Sequence, residues 1–199
     1  MQNYATDRSI SFSHMAALPT LPHTPHVAPA LPSAGAAAPA TLRVRDLGPA
    51  DGALVETLHD SLSTRSQYQR YHGAMPRLSA RHRERLTATD GRDHVALVAL
   101  DPTGTPVGIA RYIRLRHDPA AADIAAEVVD GRQRQGVATD LLARLARRAA
   151  ASGVERFTAT VLSDTRIPAM LRRRGWRVRS FDGPTTDLEA DVWTLIRAT

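Results

Sequence analysis

The stretch that runs from residue 122 to residue 149 constrains the fold more than any other part of the chain. Ala122–Val129 alternates in polarity like a strand, a polar loop follows, and apolar residues recur at helical spacing after Gly136. A glycine-containing turn between a strand and a helix leaves main-chain N–H groups free at the helix N-terminus, where anions bind. The stretch therefore predicts a strand–loop–helix unit that holds a phosphate group.

Two carboxylates lie on one face of the predicted strand. Successive side chains of a strand point to opposite sides, so Asp123 and Glu127 share a face. A carboxylate beside a bound substrate can take up a proton, and either residue is therefore a candidate general base. The competing interpretation is that one or both carboxylates pair with Arg111 on the neighbouring strand, which would make them structural.

The first 40 residues differ from the rest of the chain in composition. They hold six of the 13 prolines, many alanines, and a single acid and a single base, Asp7 and Arg8. A segment of this kind cannot bury enough apolar surface to offset the entropy lost on ordering it. We therefore predict a disordered tail, rich in proline and alanine, over 1–40 and one folded domain over 41–199.

The charged and reactive residue types exclude several kinds of chemistry. The formal net charge is +6, all 26 basic residues are arginine, and the chain has neither lysine nor cysteine. Lysine bases, thiol nucleophiles, disulfides and thiolate zinc sites are therefore excluded, and we predict no metal. No apolar run approaches the roughly 18 residues of a membrane helix, so we expect a cytoplasmic protein without membrane contact. The basic balance favours an anionic partner.

Hydrophobic patterning predicts a mixture of strands and helices after residue 41. Strands are expected over 41–45, 93–100, 107–113, 122–129 and 157–161, from 176, and over 188–195. Helices are expected over 50–58, 62–71, around 79–86, from 136 to 152 and over 167–174. This order fits an α/β fold of the α+β type, with a mostly antiparallel central sheet of six to seven strands and helices on both faces.

The loop before the long helix resembles a known family signature. Gln133-x-x-Gly136-x-Ala138 is similar to the pattern (Gln or Arg)-x-x-Gly-x-(Gly or Ala) of the GCN5-related N-acetyltransferase (GNAT) superfamily. The pattern lies where that family has it, between the fourth strand and the third main helix. The resemblance implies the GNAT fold, with acetyl-CoA as the co-substrate.

Other segments resemble the same family. Val161-Leu-Ser-Asp164, separated by ten residues from Gly175-Trp176, is similar to its second signature, strand–Asn–helix–Gly–Phe. The order of predicted elements also agrees over 41–199. More narrowly, the chain resembles the catalytic domain of actinobacterial protein-lysine acetyltransferases in the segments 62–71, 85–87 and 94–98.

The resemblance implies a set of cofactor-binding residues. Main-chain N–H groups of the loop would hold the pyrophosphate of acetyl-CoA, aided by the helix dipole. A main-chain N–H at Val128 or Val129 would polarise the thioester carbonyl. The whole set comprises Val128, Val129, Gln133, Arg134, Gln135, Gly136, Val137, Ala138, Thr139 and Asp164.

Three positions depart from the family pattern. Asp123 stands where the related lysine acetyltransferases have a catalytic Glu, and because Asp is one methylene shorter we expect a relay water. Leu171 stands where many members have a Tyr that reprotonates the CoA thiolate. Asp164 replaces the Asn of the second signature, and capping of the following helix is the alternative for this residue.

The resemblance implies an acetyl-CoA-dependent N-acetyltransferase. The acetyl group would move to a primary amine, either a protein lysine or a small molecule, by direct attack assisted by a carboxylate base. A non-catalytic acyl-CoA-binding or regulatory member of the same fold is the alternative. A basic nucleic-acid-binding module is a third hypothesis, disfavoured because interleaved aromatic residues and known motifs are missing. Association as a homodimer stays open.

Overall fold

The computed structural model describes residues 42–197. The tail over 1–40 lies outside these residues, so its predicted disorder stays a prediction. None of the described helices combines the length and the apolar character needed to cross a bilayer.

Seven strands form a single sheet in the order β1-β2-β3-β4-β5-β7-β6. Every neighbouring pair is antiparallel except β4 with β5. The strands are β1 Arg43–Asp46, β2 His94–Leu100, β3 Pro106–Leu115, β4 Asp118–Val128, β5 Arg156–Leu162, β6 Arg177–Asp182 and β7 Thr185–Asp191. The helices are α1 Gly52–Asp60, α2 Thr64–Tyr71, α3 Ala80–Thr87, α4 Val137–Ala151, α5 Ile167–Arg173 and α6 Val192–Arg197. The predicted fold class is confirmed.

The long helix α4 covers one face of the sheet. Its Leu141 and Leu145 are fully buried in the larger of two apolar clusters. Burying a side chain of this kind contributes roughly 1.5–3 kcal/mol to folding. Gly108 of β3 lets the helix approach, because a Cβ there would lie 3.1 Å from a methyl carbon of Val137. This close packing fixes the start of α4, and the loop before it, against the sheet.

The helices α1 and α3 cover part of the opposite face. Val55 and Leu58 of α1 and Leu86 of α3 pack against Val98 of β2 and Ile109 of β3 in a second apolar cluster. Helices therefore lie on both faces of the sheet, as the sequence predicts. On the same face as Ile109, side chains of β4 and β5 farther along the sheet remain exposed to solvent.

The C-terminal end differs from its prediction. The patterning places the last strand over 188–195, whereas β7 ends at Asp191 and a helix follows. The Asp191 carboxylate accepts a hydrogen bond from the Trp193 N–H at 2.7 Å, which is a capping contact that starts α6. Val192 and Leu195 are buried, so the apolar spacing of a short helix resembles that of a strand.

The parallel strands β4 and β5 stay together only briefly. Their paired residues are Ala121 with Arg156, Ala122 with Phe157, and Asp123 with Thr158. Beyond this point β4 continues to Val128 and β5 to Leu162 without pairing to each other. The sheet therefore opens a gap between the two strands that begins at Asp123.

Candidate active site

Two residues in the left-handed conformation shape the loop between β4 and α4. Gly136 has a φ of 86° and Arg134 a φ of 61°. The left-handed conformation costs a non-glycine residue roughly 1–2 kcal/mol, and such strain concentrates at functional sites. A Cβ added at Gly136 would meet no heavy atom within 4 Å, so the space beside this turn is open. The loop thus combines a strained turn with room for a ligand.

The N-terminus of α4 has no capping side chain. The N–H groups of its first residues, Val137, Ala138 and Thr139, have no acceptor within the helix. They lie at the positive end of the dipole of a 15-residue helix. This arrangement supports the phosphate site that the sequence predicts, and the binding itself stays a prediction.

The glutamine side chains of the loop hold the loop in place. Gln133 Nε2 donates to the Val128 carbonyl oxygen at 3.1 Å and to Ser66 Oγ at 3.3 Å. Gln135 Nε2 donates to the Gly131 carbonyl oxygen at 2.8 Å. Gln133 therefore connects the loop to the end of β4 and to α2. Through these contacts its side chain supports the shape of the predicted cofactor site.

Asp130 is a residue that the sequence reasoning missed. Its carboxylate accepts hydrogen bonds from the Ser63 N–H, from Ser63 Oγ and from Ser66 Oγ, each at 2.9 Å. Ser63 is the N-cap of α2, so Asp130 fastens the start of α2 to the loop. Burial opposes its charge, yet these hydrogen bonds lower the pKa of Asp130 below its ordinary value. The only signal in the sequence is an acid beside the signature.

Replacing Asp130 with Asn is expected to lower the free energy of unfolding by about 1 kcal/mol at neutral pH. Because the folded-state pKa is lowered, this contribution is present above the unfolded value of 3.8 and is lost as the pH falls through the folded value. Urea unfolding of both proteins at pH 7 and pH 3 checks the prediction. A difference in stability that is equal at both pH values would contradict it.

At the end of β4, the main-chain N–H groups of Val128 and Val129 point in opposite directions. The Val129 N–H donates to the Val107 carbonyl oxygen at 3.0 Å and is therefore engaged in the sheet. Val128 directs its carbonyl to Gln133, away from β3, and its N–H takes the same side because both main-chain groups of a strand residue point together. Of the two predicted thioester donors, Val128 is the one that faces the gap.

Asp123 lies where β4 and β5 part, and its side chain is exposed to solvent. Its carboxylate is nevertheless partly desolvated by the strands around it, and this desolvation raises the pKa of Asp123 to about 6, against the lowering influence of Arg111 and Arg70. The Thr158 hydroxyl lies 3.5 Å from one carboxylate oxygen, and the charge of Asp187 adds to the upward shift. Asp123 thus combines access to water with a pKa near that of a working base.

Glu127 is buried and engaged with neighbouring side chains. Its side chain is 7% exposed, with Arg70 Nε 3.6 Å from Oε2. The Tyr71 hydroxyl donates to the same oxygen at 3.4 Å, and burial followed by the charge of Glu127 raises the pKa of Tyr71. These contacts favour a structural role for Glu127 over the role of base.

Arg111 lies between the two carboxylates without forming an ion pair. It stands opposite Ala125 in the register of β3 and β4. Among residues 42–197 no carboxylate oxygen comes within 4.0 Å of its guanidinium, so the predicted pairing of Asp123 or Glu127 with Arg111 is not what the structure has. Burial and the charge of Arg70 lower the pKa of Arg111 to about 10. Its charge persists at neutral pH.

The second signature contributes less than its pattern indicates. Asp164 is exposed, and the Ile167 N–H donates to Thr165 Oγ1 at 3.3 Å. The N-cap of α5 is Arg166, which makes no capping hydrogen bond, so the capping role that was the alternative for Asp164 is not what the structure has. Leu171 is half-buried in α5 and packs against the larger apolar cluster. No described residue group of three or more His, Asp or Glu is arranged to hold a metal ion.

The open face of β5 and β7 carries a second carboxylate near Asp123. Asp187 accepts a hydrogen bond from Thr160 Oγ1 at 2.7 Å and from Ser180 Oγ at 2.8 Å. Within residues 42–197 no arginine or histidine nitrogen lies within 4.0 Å of Asp187, whereas the neighbouring Glu189 pairs with several arginines. Asp187 therefore adds an uncompensated negative charge to the face that holds Asp123.

Comparison with known proteins agrees with this geometry. A sequence profile of the Acetyltransferase (GNAT) family matches residues 55–176. The GNAT domain of PAT from S. lividans is similar at 32% identity and a TM-score of 0.70, over 75% of this chain and 90% of that chain. A cAMP-binding acyltransferase from Mycobacterium smegmatis is similar at 26% identity and a TM-score of 0.52, over 76% of this chain and 44% of that one.

A third structure shares the fold alone. A GNAT superfamily phosphinothricin acetyltransferase from Sinorhizobium meliloti, in complex with AcCoA, matches at 19% identity and a TM-score of 0.61, over 76% of this chain and 88% of that one. Because the family profile covers more than half of the sequence, the chain belongs to the GNAT acetyltransferase family. It is accordingly an N-acetyltransferase, which implies acetyl-CoA-dependent acetyl transfer.

Proposed function

We propose that the protein transfers an acetyl group from acetyl-CoA to the primary amine of a protein lysine, with Asp123 as the general base. The observation that carries this proposal is an exposed carboxylate with a pKa raised to about 6, at the point where β4 and β5 separate. Such a group is ionised at physiological pH and can still accept a proton. We place this activity in the cytoplasm, and association as a homodimer remains part of the hypothesis.

The chain offers a fitting place for acetyl-CoA, which supplies the acetyl group as a thioester. The uncapped first turn of α4 and the open space at Gly136 suit its pyrophosphate. The unpaired edge of β4 beyond Asp123 suits the extended pantetheine arm, because a strand edge can pair with an extended chain. The Val128 N–H would then donate to the carbonyl oxygen of the thioester.

Proton removal is the step assigned to Asp123. A lysine amine has an ordinary pKa near 10.4, and its ammonium form has no lone pair with which to attack. Asp123 takes up this proton directly or, given its short side chain, through a water molecule. Glu127 holds the side chains of Arg70 and Tyr71 in position through its contacts with both. Leu171 supplies no acid for the leaving group, and CoA departs as a thiolate, which is stable enough near neutral pH to leave without one.

A protein lysine is favoured as the acceptor by the resemblance to actinobacterial protein-lysine acetyltransferases and by the charge of the open face. The GNAT domain of S. lividans PAT and the chain align over most of both lengths. The two carboxylates Asp123 and Asp187 give this face a negative potential that attracts an ammonium group. Lysine is absent from the chain itself, so all lysine acetylation in an assay must occur on the added acceptor.

Replacing Asp187 with Asn is expected to raise the KM for a cationic acceptor about fivefold and to leave the KM for acetyl-CoA unchanged. The substitution also removes a charge that raises the pKa of Asp123, so the acidic limb of the pH–rate profile should move to lower pH. Asp60→Asn, at the exposed end of α1, is the matched control. An unchanged acceptor KM together with an unmoved limb would refute the role of Asp187.

The proposed function is tested by calorimetry with acetyl-CoA, followed by a thiol-release assay with lysine peptides, polyamines and small primary amines. The chain has no cysteine, so every thiol detected comes from CoA. Micromolar binding with turnover on lysine peptides is the expected result. Binding without turnover on any acceptor would favour a regulatory acyl-CoA-binding protein, and no binding at millimolar acetyl-CoA would overturn the proposal.

A further inference from the structure

A small cavity lies between the sheet and the helices α1 and α3, next to the end of α2. Its walls include the charged side chains of Arg70, Arg111 and Glu127, and all the other side chains that line it are apolar. Its volume is about 10 Å³, close to that of one water-sized sphere. The cavity therefore suits a single small ligand, and phosphate, sulfate and carboxylates are too large for it.

Two guanidinium groups line this cavity without a hydrogen-bond acceptor. Arg70 Nε is buried and has no acceptor within the part of the chain that the structure describes. Arg111 likewise makes neither a hydrogen bond nor an ion pair with any residue from 42 to 197. A buried donor without an acceptor lowers stability, and the cost is larger for a charged group. An acceptor bound between the two arginines would remove this cost.

The fold holds the two arginines in place. Arg111 stands opposite Ala125, which puts Glu127 at a diagonal position across the strands, roughly 7–8 Å away. The guanidinium of Arg70 lies 5.0 Å from the centre of the Tyr71 ring, and its Nε lies 3.6 Å from Glu127 Oε2. The register of the sheet and the contacts of α2 therefore keep both guanidinium groups at the wall of the cavity.

The charge of the walls favours an anion over a water molecule. Two arginines and one glutamate line the cavity, which leaves one positive charge in excess. Asp123 acts on Arg111 from a distance but does not line the cavity. A water molecule supplies an acceptor without a charge, whereas a monatomic anion supplies both, and their interaction with the guanidinium groups is strengthened by burial.

We propose that this cavity binds a single halide ion, chloride in the cell, between Arg70 and Arg111. The ion accepts hydrogen bonds from the two guanidinium groups and neutralises the excess charge of the walls. Chloride is only slightly larger than a water molecule, which makes it the abundant cellular anion that suits the space. This site requires no acyl transfer and therefore goes beyond the proposed function.

A bound halide is also expected to act on the candidate base, and this consequence rests on the proposed function. The charged groups that act on Asp123 are Arg111 from β3, Arg70 from α2 and Asp187 from β7. The two arginines lower the pKa of Asp123, and an anion beside them offsets this influence. Chloride should therefore move the acidic limb of the pH–rate profile of the parent to higher pH and leave that of Arg111→Met unmoved.

The test compares thermal unfolding in sodium chloride and in sodium gluconate of equal ionic strength, for the parent, Arg111→Met and Arg147→Met. A ligand that binds the folded state alone raises the unfolding temperature. Chloride at about 0.1 M should raise it by about 2–4 °C in the parent and in Arg147→Met, and by less than about 0.5 °C in Arg111→Met. Arg147 is exposed on α4 and is the matched charge control. Methionine removes an uncompensated buried charge, so Arg111→Met should fold in gluconate.

Sodium sulfate of equal ionic strength is the size control and should not distinguish the parent from Arg111→Met. An equal response of the two proteins to chloride would overturn the inference, and so would a difference between them that sulfate produces equally. Anomalous diffraction at long wavelength from crystals grown in chloride needs no variant. It should place the ion between Arg70 and Arg111, and a cavity without an anomalous peak would also overturn the inference. An unmoved acidic limb in a parent that binds chloride would instead count against the proposed function.

Discussion

Replacing Asp123 with Asn is expected to lower kcat by about 10²–10⁴-fold and to leave the affinity for acetyl-CoA unchanged. Asparagine keeps the size of the side chain and the approach of the Thr158 hydroxyl, but it cannot take a proton from the acceptor. Asp123 lies at the gap between β4 and β5 and does not contribute to the loop that suits the pyrophosphate. Steady-state kinetics with both substrates varied gives kcat and the two KM values.

The same substitution is expected to leave the protein at least as stable as the parent. The folded-state pKa of Asp123 is raised to about 6 from 3.8, so between these values the folded protein holds a proton that the unfolded chain has lost. At higher pH the ionised carboxylate lowers stability, and Asn removes this cost. Asp123→Glu, which restores the longer acid of the related enzymes, should retain activity. An Asp123→Asn protein with parental kcat would show that another group is the base.

Replacing Glu127 with Gln is expected to lower the free energy of unfolding by about 3–5 kcal/mol. The side chains of Glu127 and Arg70 are 7% and 16% exposed, and loss of the carboxylate leaves a buried guanidinium without its partner. Arg111 stands nearby with a pKa lowered to about 10 by burial and by Arg70, so the cluster would hold two positive charges opposed only by the charge of Asp123. Denaturant unfolding measures the change directly.

A double-mutant cycle separates the ion pair from other effects of the Glu127 substitution. Arg70→Gln combined with Glu127→Gln should be less destabilised than the sum of the two single variants, because the double variant leaves no unpaired partner. A fully stable Glu127→Gln protein that has lost catalysis would contradict the structural role and would make Glu127 the base. The paired experiments on Asp123 and Glu127 therefore assign separate tasks to two acids four residues apart on one strand.

Local sequence patterns predicted the parts of the fold that local forces determine. The alternation of β4 and the apolar stripe of α4 are properties of contiguous residues, and both elements form, although β4 begins at Asp118, four residues before the predicted start. The end of β7 was predicted wrongly because Asp191 starts a helix through a capping contact with Trp193. That segment is so short that its few apolar positions fit the spacing of a strand as well as that of a helix.

In the candidate site, too, the features formed by contiguous residues could be predicted from the sequence, and the contacts between distant elements could not. The uncapped helix start at Gly136 follows from the local motif, since the conformation belongs to the loop itself. The partners of Glu127 and Asp130 do not, because Arg70, Tyr71 and Ser63 come from α2 and its cap, more than 50 residues earlier in the chain. Sequence spacing does not report contacts formed when distant elements pack. Burial, which distinguishes Glu127 from Asp123, is likewise a property of the whole fold.

The role of Asp123 as the base is tested most directly by the pH dependence of kcat/KM for acetyl transfer to a lysine peptide, measured for the parent, Asp123→Asn and Glu127→Gln. This profile reports the ionisation of the free enzyme. We expect an acidic limb with a midpoint near 6 in the parent and in folded Glu127→Gln, and no such limb in Asp123→Asn. A limb near 6 that persists at undiminished rate in Asp123→Asn, and is absent from Glu127→Gln, would contradict this role.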